Sequence, residues 1–91
     1  MDNVDELAQR LALELLSLKE KGYDWTPRWV AQDANGEWEA YQYEPELIKR
    51  DSGGFWNNQL PAGESGLAEH AVLFIDQRDT SNWKHTLIKL D

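Results

Sequence analysis

Cysteine is absent from the chain, which excludes disulfides, thiolate metal sites and cysteine nucleophiles and fits a reducing compartment. Cationic residues are scarce: nine Lys and Arg stand against seventeen Asp and Glu, for a formal net charge of -8. Phosphate binding needs Lys and Arg to release counterions, so DNA, RNA and anionic lipid are poor partners. No apolar run approaches the ~20 residues of a membrane span. The first segment is acidic rather than a basic-then-apolar leader. A soluble, cytoplasmic chain that binds neither nucleic acid nor membrane is the expectation.

What remains is 91 residues, room for one domain with one modest core. About 41% of them are hydrophobic, and tryptophan supplies five of the aromatics beside three Tyr and two Phe. That apolar content is too high for an obligately disordered chain, although a mean hydropathy of -0.72 makes the core thin.

The spacing predicts a helix over 3–21. Asn3 suits an N-cap with Glu6 three residues on, and Val4, Leu7, Ala8, Leu11, Leu15 and Leu18 fall on one stripe. Lys19 and Lys21 suit the helix C-terminus and Gly22 the residue beyond it. Leu13 and Leu16 lie off the stripe, either as incidental exposed leucines or as an apolar edge that meets a second copy of the chain.

Trp25 is placed to pin the connector 23–27 against the core. Arg28–Gln32 and Glu37–Tyr43 then read as strands of a hairpin (28–43) around Asn35-Gly36. A two-residue loop there would set Ala34 opposite Glu37, Ala31 opposite Ala40 and Val30 opposite Tyr41. Trp29, Ala31, Trp38 and Ala40 would face the core. Arg28, Val30, Gln32, Glu37, Glu39, Tyr41 and Tyr43 would form a half-wetted face.

Prolines and glycines punctuate 44–68, which reads as an irregular connection with one helical turn at 46–50. Phe55 and Trp56 are too apolar for a solvated loop and should fold back on the sheet. Glu69–Asp76, with four consecutive apolar residues at 72–75, suits a central strand. With the alternating run Trp83–Leu90 it makes a second hairpin over 69–90, the alternative being a short helix from Ser81. The fold class expected is α+β: one N-terminal amphipathic helix on an antiparallel sheet of about four strands, within a single domain, 1–91.

Chemical motifs are sparse. Asp33-x-Asn35-Gly36 resembles part of a calcium loop, but the first and twelfth positions are Ala31 and Gln42, so two ligands are missing. Glu37 and Glu39 share a strand face, yet glycoside hydrolysis also needs a deep cleft to raise one pKa. His70 and His85, with Glu69 or Asp76, fall short of a convincing metal site. No nucleophile elbow, phosphate loop or dinucleotide fingerprint is present. The sequence points to a non-enzymatic protein with no catalytic residue, cofactor or metal.

Acidic charge carries most functional weight. It is spread along the chain, and Glu37, Glu39, Glu44 and Glu46, interleaved with Tyr41 and Tyr43, form its densest cluster. Carboxylates beside tyrosines suit an interface that grips Arg and Lys on a basic partner, while the same charge also serves solubility.

The run Trp29-Val30-Ala31-Gln32-Asp33-Ala34-Asn35-Gly36-Glu37-Trp38-Glu39-Ala40-Tyr41, then Pro45, Trp56, and Trp83 with Leu87, resembles a pattern in small proteins of tailed bacteriophages and prophages. The resemblance covers about 28–90; the leucine-rich helix is a departure, because many of those proteins begin at the hairpin. Most members have no assigned activity, so the resemblance implies origin more than function. For a small, acidic, cysteine-free chain of that origin, binding to a host protein with a basic surface in the host-cell cytoplasm is the expectation. Inhibition of a nucleic-acid-handling defence component, such as a CRISPR or restriction complex, is the leading expectation. A homo-oligomeric accessory protein pairing through Leu13 and Leu16, or a small-ligand binder using Phe55 and Trp56, are the alternatives.

Overall fold

A computed structural model describes residues 3–51, 53–75 and 79–90, with side chains from Glu6 onward. The Asn3 cap, the place of Val4 in the stripe, and Asp76 therefore lie outside the described residues. Helix α1 spans Asn3–Glu20, with Lys19 in its last turn. Gly22, at φ 81°, takes the left-handed conformation that ends the helix, and its N–H donates to the Lys19 carbonyl at 3.2 Å. Leu11 and Leu18 are buried and Leu7 and Leu15 pack beside them, so the stripe is the buried face. Ala8, at the stripe's margin, is exposed.

Strands β1 (Trp29–Gln32) and β2 (Trp38–Tyr41) pair antiparallel, but one residue out of the register expected. Trp29 faces Tyr41, Val30 faces Ala40 and Gln32 faces Trp38. The turn chemistry explains the shift. The Gly36 N–H donates to the Asp33 carbonyl at 2.9 Å and the Asp33 N–H to the Glu37 carbonyl at 2.8 Å. Only Gly36, at φ 94°, has positive φ there. The loop is therefore Ala34-Asn35-Gly36, a turn that starts on Asp33 and ends on a left-handed glycine, not Asn35-Gly36 alone.

A one-residue slip exchanges faces. Val30, Trp38 and Ala40 pack toward α1, whereas Ala31 and Tyr41 are buried on the opposite side with Trp29 against them. The supposed half-wetted face does not exist as such. Both sides of the central hairpin are covered.

The second cover is a feature that the sequence reading leaves as loop. Residues 46–57 hold β3 (Glu46–Arg50) and β4 (Gly53–Asn57), an antiparallel pair rather than a helical turn within an irregular stretch. Leu47 pairs with Trp56 and Ile48 with Phe55, so apolar side chains match across the hairpin. Gly54, at φ 151°, sits where an added Cβ would lie 2.8 Å from the Trp83 ring, and only glycine lets that ring approach.

Strand β5 (His70–Leu73) pairs with β2, and β6 (Ile88–Lys89) pairs with β1, giving the order β5-β2-β1-β6. The two do not form a second hairpin, and β5 is an edge strand rather than a central one. Burial explains the difference. Trp83 is drawn into the lower core, which turns Trp83–His85 into a 3-10 helix and leaves Ile88 and Lys89 for pairing. The Thr86 hydroxyl extends that ladder by accepting the Gln32 N–H at 2.8 Å. The α+β class stands: the described residues form one α-helix, a short 3-10 helix, a four-stranded antiparallel sheet and a two-stranded sheet. Among the described residues, no helix is long and apolar enough to cross a membrane.

Candidate functional site

The β1–β2 turn gathers three carboxylates. Asp33 and Glu37 flank the loop and Glu39 follows two residues along β2, so strand alternation points all three to one side. One oxygen from each lies within 4.8 Å of the others. Asp33 is buried, Glu39 half-buried and Glu37 exposed, which makes a charge gradient from core to solvent.

Asp33 is held by the fold. Its Oδ1 accepts the Trp56 backbone N–H at 2.7 Å, tying the turn to β4. Burial pushes its carboxyl up to about 6, against the opposing pull of the Trp56 N–H, and the charges of Glu39 and Glu37 add to the rise. Glu39 is engaged by His70, whose Nδ1 lies 2.7 Å from Glu39 Oε1. Glu37 carries the solvent-facing charge. Its own N–H donates to the Asn35 Oδ1 at 2.9 Å, which fixes the backbone at that point.

Among the described residues this is the group of three that offers metal-ligating atoms. Asp33 already spends one oxygen on a backbone bond, and His70 engages Glu39, so both carboxylates have partners within the fold. The trio works as concentrated negative charge. His70 and His85, on β5 and the 3-10 helix, stand on elements that do not pair.

The structure divides the expected binding cluster. Glu37 and Glu39 join Asp33 at one end of β2. Glu44 and Glu46 are exposed beyond its other end, where they line a cleft of about 580 Å³ with Leu47, Trp56 and Leu87. Tyr43 is half-buried. Tyr41 is not a surface residue: it is 1% exposed and its hydroxyl lies 3.4 Å from the Trp56 carbonyl, so it belongs to the core. The cause is the lower layer: Tyr41 keeps the side opposite Trp38 and Ala40, and Trp56 and Trp83 cover that side.

Trp56 lines that cleft but offers it little of its ring. It is buried, and its Nε1–H donates to the Trp83 carbonyl at 3.2 Å. Leu13 and Leu16 are exposed, at 59% and 52%. Asp33 is the residue that sequence reasoning passes over. Its signal was present: aspartate followed three residues later by glycine marks the first and last positions of this turn.

The fold and this site define a small α+β protein with an anionic turn standing off a doubly covered sheet. No protein-family model, curated protein or solved structure matches the chain.

Proposed function

We propose that the chain is a non-catalytic binding protein that engages a basic surface of a host protein through the carboxylates of the β1–β2 turn. The observation that carries this reading is the convergence of Asp33, Glu37 and Glu39 within 4.8 Å. In a chain of net charge -8, that convergence concentrates anionic potential where side chains can reach a partner. Glu44 and Glu46 supply a second anionic contact at the far end of β2. The resemblance of 28–90 to phage-encoded proteins supports a partner that handles nucleic acid in the host-cell cytoplasm. The protein then acts as a counter-defence inhibitor, for example an anti-CRISPR or anti-restriction protein, by occupying the partner's phosphate-binding surface.

The test is capture from bacterial lysate by the wild-type chain and by Glu37→Lys. A nucleic-acid-handling protein, held by wild type, released as salt rises and lost about tenfold with the variant, is the expected result. Retention by both at high salt would overturn the electrostatic reading.

Exposure of Leu13 and Leu16 favours a second reading, pairing of copies along α1. Light scattering over a concentration series tests it. A constant monomer mass ends it, and a dimer lost in Leu13→Ser with Leu16→Ser supports it.

A further inference from the structure

Among the described residues no strand pairs with the outer side of β5, and the ladder to β2 fixes the phase of that edge. Along an antiparallel strand, alternate residues exchange both backbone bonds with the neighbour, and those between turn outward. The Gln42 N–H donates to the Glu69 carbonyl at 3.0 Å, so Glu69, Ala71 and Leu73 face β2. His70 and Val72 therefore direct their N–H and C=O groups away from the sheet. Among the described residues, no backbone group bonds to them.

The next backbone donor on that side is already satisfied within the chain. Phe74 N–H is taken by the Glu14 carboxylate of α1 at 2.7 Å. Phe74 itself is 72% exposed and already draws a cation, with Lys21 Nζ 5.9 Å from its ring centroid. Val72 and Phe74 line a cleft of about 450 Å³ together with Asn35, Glu37 and Trp38. The other edge of the sheet is guarded in the usual manner, because β6 is two residues long and carries Lys89.

We propose that the outer edge of β5 receives an extended basic segment of the partner protein as an added strand. Its backbone pairs with His70 and Val72, an apolar side chain enters the cleft against Val72 and Phe74, and an Arg or Lys reaches Glu37. The proposal rests on the reading that the partner is basic and names how it is held. Charge selects this occupant over a second copy. Another chain would bring a further -8 to the same edge.

The probe is a synthetic peptide of alternating Arg and Val, compared with the same peptide N-methylated at alternate residues so that its backbone cannot donate along one edge. Binding is read by fluorescence anisotropy at low salt against wild type, Val72→Pro and Glu37→Gln. Proline is tolerated on an edge strand where the lost N–H faces outward, so Val72→Pro removes the edge donor and spares the β2 ladder. The expected result is about tenfold weaker binding from N-methylation and from Val72→Pro alike. Slower amide exchange of His70 and Val72 in the wild-type complex is a readout that needs no variant to fold.

Equal binding of both peptides, with no change in exchange at His70 or Val72, would overturn strand addition. If Glu37→Gln still weakened that binding, the charge reading would survive alone. No binding of either peptide to wild type would also sink the proposal. A wild-type dimer that Val72→Pro dissociates would do the same, since the edge would then belong to a second copy.

Discussion

The side chain of Asp33 and the backbone of Trp56 are joined by a 2.7 Å hydrogen bond across twenty-three positions of sequence. The bond links the tip of one hairpin to the middle of another, so the anionic turn is positioned by the lower layer as well as by its own loop. Removing the acceptor leaves a buried N–H unsatisfied. Asp33→Ala should lose about 1–3 kcal/mol of unfolding free energy in urea titrations, and Asp33→Asn, which keeps an acceptor, about 1 kcal/mol or less.

The same residue sets a pH dependence. Its carboxyl sits at about 6 in the fold against an ordinary value of 3.8, so the folded chain holds a proton that the unfolded chain has released between those values. Stability from this group is therefore greatest below about pH 4 and falls as pH rises through about 6. Subtracting the Asp33→Asn profile from that of wild type should isolate a decline over that window. A flat difference would contradict it.

Tyr41 gives a second, alkaline signature. Burial, followed by the charges of Glu39, Asp33 and Glu37, holds its phenol far above its ordinary value of 10.0. The folded state keeps a proton that the unfolded state loses, so stability falls as pH rises beyond that value. Tyr41→Phe should flatten the alkaline limb in denaturation at pH 9–11. At neutral pH the loss should be about 1 kcal/mol or less, because the bond to the Trp56 carbonyl is long at 3.4 Å.

Two glycines should differ sharply in tolerance. At Gly36 a Cβ meets only the Thr80 methyl at 3.5 Å, so Gly36→Ala carries the conformational penalty of φ 94°, about 1–2 kcal/mol. At Gly54 the Cβ strikes the Trp83 ring and the Ile48 carbonyl. Gly54→Ala should cost more, about 3 kcal/mol, by adding steric overlap to backbone strain. Thermal melts that ranked the two in the opposite order would show that the Trp83 packing yields easily.

Local periodicity made the first part of the fold legible. Leucines at three- and four-residue steps give α1, and Asn35-Gly36 between apolar runs gives the hairpin. Register was less so, because Asp33 and Asn35 compete to begin the turn and the choice moves every side chain by one place. Trp29, Val30 and Ala31 exchanged sides on that single shift, while Tyr41 kept its side and became a core residue because Trp56 and Trp83 cover it. The β3–β4 pair was hidden by its own requirement: Gly54, which admits Trp83, and Gly53 beside it read as loop residues when their neighbours in space are unknown. The partners of β5 and β6 were illegible for a related reason. Both pair with strands far back in the chain, and no local signal carries that information. Of the candidate site, Glu37 and Glu39 were legible from spacing, whereas the contribution of Asp33 depends on Trp56.

The strand order β5-β2-β1-β6 also has a consequence for biosynthesis. The hairpin of β1 and β2 can close once Tyr41 has emerged from the ribosome, but its flanks are covered only when His70–Leu73 and then Ile88–Lys89 emerge. At roughly 5–20 residues per second, the nascent hairpin waits several seconds with both flanks bare. That interval is when a chaperone has most to shield, and truncation before Ile88 would leave the β1 flank permanently bare.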